Sequence, residues 1–257
     1  MGAVCLIPPT SSNPHDRPPA YDALWKDMME TFRRERTLLL AIGGFFMLLP
    51  TALLYAFLPP MPQPAAGDDA FVMMVAYYRQ HQPEFIIHTL WITFGELAMT
   101  VLLAAPDRPT VGEALVRALR LYPWHLLQRL VVVLAMIGGA LMFILPALYF
   151  SGRLALCTPL LAVGEGRNPL ALMRRSQQLT RGAGWHIAAF VILVWLGTTL
   201  FSSAVGTISA AMFKPFGAGG VAHVADALVQ GAAMLPGLLL GALLPVVLLR
   251  QLKAAQR

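Results

Sequence analysis

Charge is scarce in this chain. Asp, Glu, Lys and Arg make up 12% of its 257 residues, against 57% apolar ones. A soluble domain must cover its surface with polar groups, and this balance leaves too few. The bilayer is therefore the solvent that the composition calls for. Cysteine is almost absent too: Cys5 lies in a polar segment and Cys157 inside an apolar run, which argues against a disulfide between them. No Cys/His cluster has metal-ligand spacing. Phosphate-cradling loops, a Ser-His-Asp order and paired hydrolytic carboxylates are missing as motifs. No catalytic residue, metal or cofactor is expected, and the chain reads as a non-enzyme. The formal charge of +6 does not point to nucleic acid, because the basic residues punctuate apolar runs instead of clustering with aromatics.

Residues 1–37 carry prolines and charges where a signal peptide would have its apolar core, so the N-terminal segment is expected to be retained. Residues 1–20 read as a disordered cytoplasmic tail, and 21–257 as a single transmembrane domain. MGAVCL lacks the Ser or Thr of a myristoylation site at its sixth position, and Cys5 follows no hydrophobic leader. RPPAYD matches a PPxY ligand for WW domains, a pattern that proline-rich disorder alone also produces.

Six stretches could cross a membrane: 38–58, 85–105, 126–145, 147–163, 185–213 and 224–249. A span needs about 20 apolar residues, and the fourth is the short one, reaching roughly 25 Å at ~1.5 Å per residue. Basic residues stay on the cytoplasmic side of short loops, which tests that span. With all six crossing and the N-terminus inside, the inner segments hold Arg17, Lys26, Arg33, Arg34 and Arg36, then Arg108, Arg117, Arg120 and Arg129. They go on to hold Arg167, Arg174, Arg175 and Arg181, and lastly Arg250, Lys253 and Arg257. The outer segments hold only Arg79 and Lys214. A re-entrant fourth segment would put four arginines and a basic C-terminus outside, so the pattern predicts a tight outer turn at Pro146. The expected fold is all-α: six transmembrane helices of an inner-membrane protein, both termini cytoplasmic. Trp124 and Trp185 fall at headgroup depth.

Each odd-numbered span is preceded by a segment of helical periodicity. Tyr21, Trp25, Met28, Met29 and Phe32 share one face of the first; Val111, Ala114, Leu115, Ala118, Leu119 and Tyr122 of the second; Leu172, Met173 and Leu179, with Ser176 between, of the third. The second and third also align, TVLLAAPDRP against TPLLAVGEGR, then Ala-Leu at 114 and 171 and Trp-His at 124 and 185. The chain thus reads as three copies of an amphipathic cytoplasmic helix followed by a hairpin of spans. Interface physics acting on unrelated helices is the alternative source of the pattern. In the long outer loop, Asp68 and Asp69 mark a helix start ahead of an apolar stretch from 71 to 78.

Residues 146–185 read PALYFSGRLALCTPLLAVGEG, then NPLALMRRSQQLTRGAGW. This segment resembles the membrane-domain family first named from glycerophosphoryl diester phosphodiesterases, together with related uncharacterised bacterial inner-membrane proteins. The family pattern corresponds here to Pro146, Tyr149, Arg153, Pro159, Glu165, Ser176, Gly182 or Gly184, and Trp185, with Ala147 in place of a glycine. In phosphodiesterase members this region resembles an appendage to a separate catalytic domain, and fewer than ten residues follow the last span here. The resemblance therefore implies a membrane location without the enzyme activity.

Two charges stand within spans, Glu96 in the second and Arg153 in the fourth, where a lone charge costs a few kcal/mol or more. They are natural partners, as a structural clamp or as an ion site, although Arg153 can also snorkel outward. The fifth span carries Thr198, Thr199, Ser202, Ser203, Thr207 and Ser209, with Gly206 and Ala210 at small-xxx-small spacing from Ser202. That stripe is expected to pack on Gly237 and Gly241 of the sixth span, with a polar conduit as the alternative. His88, His125 and His186 read as interfacial. Pro50, Pro159, Pro236 and Pro245 interrupt spans, as kinks or as broken helices that free carbonyls. Arg174, Arg175 and Arg181, on a helix at the inner leaflet, suit anionic headgroups at about 1 kcal/mol each. The functional expectation is a structural or accessory membrane protein that contacts membrane lipids or a membrane-protein partner. A small-solute or lipid permease using Glu96 and Arg153 is the alternative.

Overall fold

A computed structural model describes residues 21–59, 67–142, 144–213 and 220–254; the expected tail 1–20 lies outside the described residues. Among the described residues every regular element is helical. Five helices are long and apolar enough to cross a membrane: Tyr21–Phe57, Gln82–Ala104, Val111–Leu141, Gly184–Phe213 and Gly220–Ala254. The stretch expected as the fourth span is covered by shorter helices, apolar from Ala147 to Ala162.

The first long helix combines α1 (Tyr21–Gly43), a π-helical turn (Gly44–Leu48) and α2 (Leu49–Phe57). Pro50 explains the turn: it lacks an N–H and cannot continue the regular ladder, so the helix widens just upstream. The Thr51 hydroxyl donates to the Met47 carbonyl at 2.6 Å. The next helix, α3 (Ala70–Gln80), starts where the two aspartates predict it. Asp69 caps it, accepting from the backbone N–H of Phe71 and Val72. α4 (Gln82–Ala104) crosses the π-helical turn closely, since a Cβ on Gly95 would lie 2.4 Å from the Phe46 Cβ.

A capping box opens α5 (Val111–Met142). The Thr110 N–H donates to Glu113 at 2.8 Å and the Glu113 N–H donates back to the Thr110 hydroxyl at 3.4 Å. α5 then runs through Pro123 for 32 residues. The separate interfacial helices expected before the first and third spans are therefore continuous with them, in α1 and in α5. Only the third is a helix of its own, α8.

The expected turn at Pro146 is displaced, because Pro146 already belongs to α6 (Ile144–Leu154). The chain has reversed by then: a Cβ on Gly139 of α5 would lie 3.2 Å from the Ala147 nitrogen and 3.1 Å from the Phe150 ring. α6 gives way to α7 (Cys157–Ala162), then to α8 (Pro169–Leu179), α9 (Gly184–Phe213) and α10 (Gly220–Ala254). α10 is the hub and packs on α1, α2, α4 and α9. One core cluster joins Leu24 and Met28 to Leu156, Leu160, Leu172 and Leu248. A second joins Leu39 and Met47 to Met99, Leu239 and Leu243.

The outside of the bundle carries the argument for a membrane. The most apolar windows of α5 and α9 bury only 17% of their residues within the protein. Leu193, Trp195, Leu200 and Ile208 stand outward on α9, each more than 60% exposed. Water would penalise such a face at about 25 cal/mol per Å², whereas hydrocarbon does not. The chain is a multi-pass, membrane-embedded helical protein.

Candidate functional site

Glu96 does not meet Arg153. Its two carboxylate oxygens accept from Nη1 of Arg129 on the neighbouring α5, at 3.1 and 3.0 Å. The Glu96 side chain is 21% exposed and that of Arg129 49%. Arg153 instead lies along α6, its guanidinium carbon 5.6 Å from the Tyr149 ring centroid, a cation–π contact. Adjacency decides the pairing. α5 packs directly against α4, whereas α6 packs on α5 and α9. In the sequence Arg129 reads as part of the basic cytoplasmic flank, although position 129 lies just inside the expected third span.

The pair borders a cavity of about 390 Å³ between α4, α5, α6, α7, α9 and α10. Gln128, Ser151, Cys157, Thr158 and Thr198 share its wall, and Val132, Met136, Leu154 and Leu244 supply apolar surface. Gln128 is 2% exposed and His125, one turn before it, is fully buried. Neither ring nitrogen of His125 nor the Gln128 carbonyl oxygen has a partner among the described residues. The interfacial reading of His125 is corrected by this burial: on a helix, adjacent residues point about 100° apart, so Trp124 faces out while His125 faces in. His88 reaches the Thr51 hydroxyl at 3.2 Å, and the His186 carbonyl accepts from the Tyr21 hydroxyl.

Most residues of the family-like segment converge elsewhere, where α6, α8 and α9 meet. The buried Ser176 hydroxyl donates to the Arg153 carbonyl at 2.6 Å, tying α8 to the end of α6. The Tyr149 and Trp185 rings are 5.1 Å apart. A Cβ on Gly184 would fall 2.8 Å from the Arg153 Cδ and 2.9 Å from the Tyr149 ring. Gly152 is tighter still, since its Cβ would lie 2.6 Å from the Ala188 nitrogen. Gly182 serves the turn instead, with φ of 83°. Pro159 is buried in α7. Glu165 follows α7 and forms ion pairs with Arg175 at 3.3 Å and Lys253 at 2.5 Å, which joins α8 to the end of α10. Burial alone would raise the Glu165 pKa; the Lys253 and Arg175 partners more than reverse it, holding the carboxyl below the ordinary glutamate range.

One end of the bundle is basic. Arg117, Arg120 and Arg167 line a groove of about 510 Å³ with the backbone after α7. Arg34, Arg108 and Arg250 line another of about 500 Å³ beside Glu35. Arg174, Arg175 and Arg181 are exposed on and just after α8. Asp107 pairs with Arg117 through both carboxylate oxygens, at 3.1 and 2.7 Å, and that hydrogen bonding holds its pKa low.

The polar fifth span packs on α10 as expected at one point and not along the whole expected stripe. Gly237 of α10 does face the fifth span, at Thr198, but the space over Gly206 and over Gly241 is open and Ala210 is exposed. Thr198, Ser202 and Thr207 return their hydroxyls to carbonyls three or four residues back on α9. That local bonding satisfies them without a partner helix or a water-filled conduit. Among the described residues, Ser209 is the hydroxyl of this span that reaches across, donating to Asp226 of α10 at 2.5 Å.

Among the described residues no group of His, Cys, Asp and Glu could hold a metal ion. Comparison with protein-family models, with curated proteins and with solved structures gives no match for this chain.

Proposed function

We propose that the chain is a non-enzymatic, multi-pass protein of a cell's inner membrane, structural or accessory in role, which engages anionic lipid headgroups through a basic cytoplasmic face. In this reading six segments cross as three hairpins, the short fourth being α6 with α7, and both termini are cytoplasmic. The observation that carries the reading is the gathering of arginines at one end of the bundle. Arg117, Arg120 and Arg167 share one groove there, next to exposed Arg174 and Arg181. A guanidinium presents a fork that fits phosphate, and each cation near an anionic surface contributes about 1 kcal/mol. The resemblance to the glycerophosphoryl diester phosphodiesterase membrane domain agrees with the membrane location. A membrane-protein partner docking on the same face would use the same arginines.

Lipid retention tests the headgroup contact. In native mass spectra of the purified chain, Arg117→Gln/Arg120→Gln/Arg167→Gln is expected to lose most bound phosphatidylglycerol. Retention equal to that of the unaltered protein would remove the reading. Reporter fusions after Arg79 and after Arg257 test the orientation, the first expected outside and the second inside.

A permease reading is favoured by one specific observation, the Glu96–Arg129 pair at a cavity within the bundle.

A further inference from the structure

We infer that the cavity bordered by Glu96, Gln128 and Arg129 is a binding site for a zwitterionic molecule that carries a primary ammonium and an oxyanion. The inference rests on the membrane embedding proposed above and not on the arginine grooves.

The electrostatics of the wall select the ligand. Glu96 and Arg129 neutralise each other, so the site has no net charge to give to an anion or to a cation. A ligand with net charge would sit in a low-dielectric cavity uncompensated, which is the costly case. A zwitterion keeps the sum at zero and can engage both members of the pair. Only Nη1 of Arg129 is engaged by Glu96, which leaves Nε and Nη2 for an oxyanion. Glu96 retains acceptor capacity beyond its two bonds from Nη1.

The second, independent observation is Gln128. Its side chain lines the cavity at 2% exposure, and its carbonyl oxygen is buried with no donor among the described residues. Leaving an acceptor buried and unpaired costs roughly 1–3 kcal/mol, so an amide kept there is explained by a donor that arrives. An ammonium N–H lying between Glu96 and the Gln128 oxygen supplies it. A quaternary ammonium has no N–H and does not. Ser151 and Thr198 already donate to backbone carbonyls of Leu148 and Val194, so toward the ligand their oxygens can only accept. The aliphatic wall from Val132, Met136, Leu154 and Leu244 would cover a hydrocarbon part. At about 390 Å³ the space is within the usual range of small-ligand sites. The same chemistry comes from two sources: the ethanolamine headgroup of a bilayer phospholipid, or a free small zwitterion.

The test is thermal unfolding of the purified full chain in detergent. The added probes are dihexanoyl phosphatidylethanolamine, dihexanoyl phosphatidylcholine, dihexanoyl phosphatidylglycerol and glycerophosphoethanolamine, a soluble phosphodiester that carries no net charge. Phosphatidylethanolamine is expected to raise Tm, with phosphatidylcholine at least threefold less effective. Gln128→Leu, which removes the unpaired acceptor at nearly constant volume, is expected to raise Tm of the empty protein and to abolish the phosphatidylethanolamine shift. A change in packing alone would not separate those two readouts. If glycerophosphoethanolamine reproduces the shift, the ligand is a soluble zwitterion; if only the acylated compound does, it comes from the bilayer. Any phosphatidylglycerol shift is expected to survive Gln128→Leu and to vanish in the Arg117/Arg120/Arg167 variant, so failure of the headgroup reading is seen separately. Equal shifts from phosphatidylethanolamine and phosphatidylcholine, a full shift in Gln128→Leu, or no shift from either ethanolamine compound would each overturn the inference.

Discussion

Arg129 holds Glu96 by a single nitrogen, Nη1, shared between the two carboxylate oxygens at 3.1 and 3.0 Å. The bond joins α4 to α5 within the apolar part of both helices, where neither charge has an alternative partner among the described residues. Hydrogen bonds between charged groups contribute about 1.5–3 kcal/mol. A double-mutant cycle of Glu96→Gln and Arg129→Gln, read by unfolding in detergent, should therefore give a coupling of about 1–3 kcal/mol. The equivalent cycle of Glu96→Gln with Arg153→Gln should give a coupling near zero. A larger coupling for Arg153 would mean that the pairing seen here is not the one in solution.

The locations of the long helices were legible from apolar run length alone, because hydrocarbon imposes a minimum span that few soluble helices match. What the runs do not encode is where each helix starts relative to its neighbours. The second amphipathic segment and the third span read as separate elements, yet α5 joins them through Pro123. Helix interiors in a membrane tolerate proline when nearby groups re-satisfy the backbone. Once α5 is continuous, Arg129 moves from the basic flank into the bundle and displaces Arg153 as the partner of Glu96. The stripe on α9 is only partly realised, at Thr198 and Gly237, for a different reason. Small-residue spacing shows which helix faces permit close approach but not which neighbour arrives, and the close approach is made by Gly152 and Gly184 instead. Burial of His125 beside exposed Trp124 was available from helical geometry, and its unpaired ring was not.

Acid should loosen the basic end of the bundle through Glu165. Its folded pKa is depressed below the ordinary glutamate value, so the stabilisation is complete above about pH 4.5 and is lost as pH falls through the folded pKa. Detergent Tm followed between pH 7 and pH 3 should fall more steeply for the unaltered chain than for Glu165→Gln. Superimposable profiles would show that the links to Lys253 and Arg175 add nothing to stability.

Ser176 is fully buried, and its hydroxyl is bonded to the Arg153 carbonyl at 2.6 Å. Ser176→Ala leaves that carbonyl without this donor and should destabilise the chain by about 1–2 kcal/mol. Ser176→Thr keeps the hydroxyl but adds a methyl to a filled site, at a cost typical of overpacking, about 1–3 kcal/mol. Both are measured as shifts in detergent Tm. An unchanged Tm in Ser176→Ala would mean that α8 is not held to α6 by this bond.

The contact of α6 with α9 predicts the largest single-site effect outside the charged residues. A Cβ at position 152 would sit 2.6 Å from the Ala188 nitrogen and 2.7 Å from the Gly184 carbonyl oxygen, both backbone atoms that cannot rotate away. Gly152→Ala must therefore push the two helices apart and forfeit their close packing, which in a bilayer supplies much of helix association. A loss of several kcal/mol, or of monodisperse protein in detergent, is expected, in line with the worst overpacked sites. Gly206→Ala is the control, because the space over Gly206 is open. Helix propensity favours alanine there, so its Tm should stay within a few degrees of the parent or rise. If Gly152→Ala were as well tolerated as Gly206→Ala, α6 would not lie against α9, and the convergence of Tyr149, Arg153 and Trp185 at that seam would fall with it.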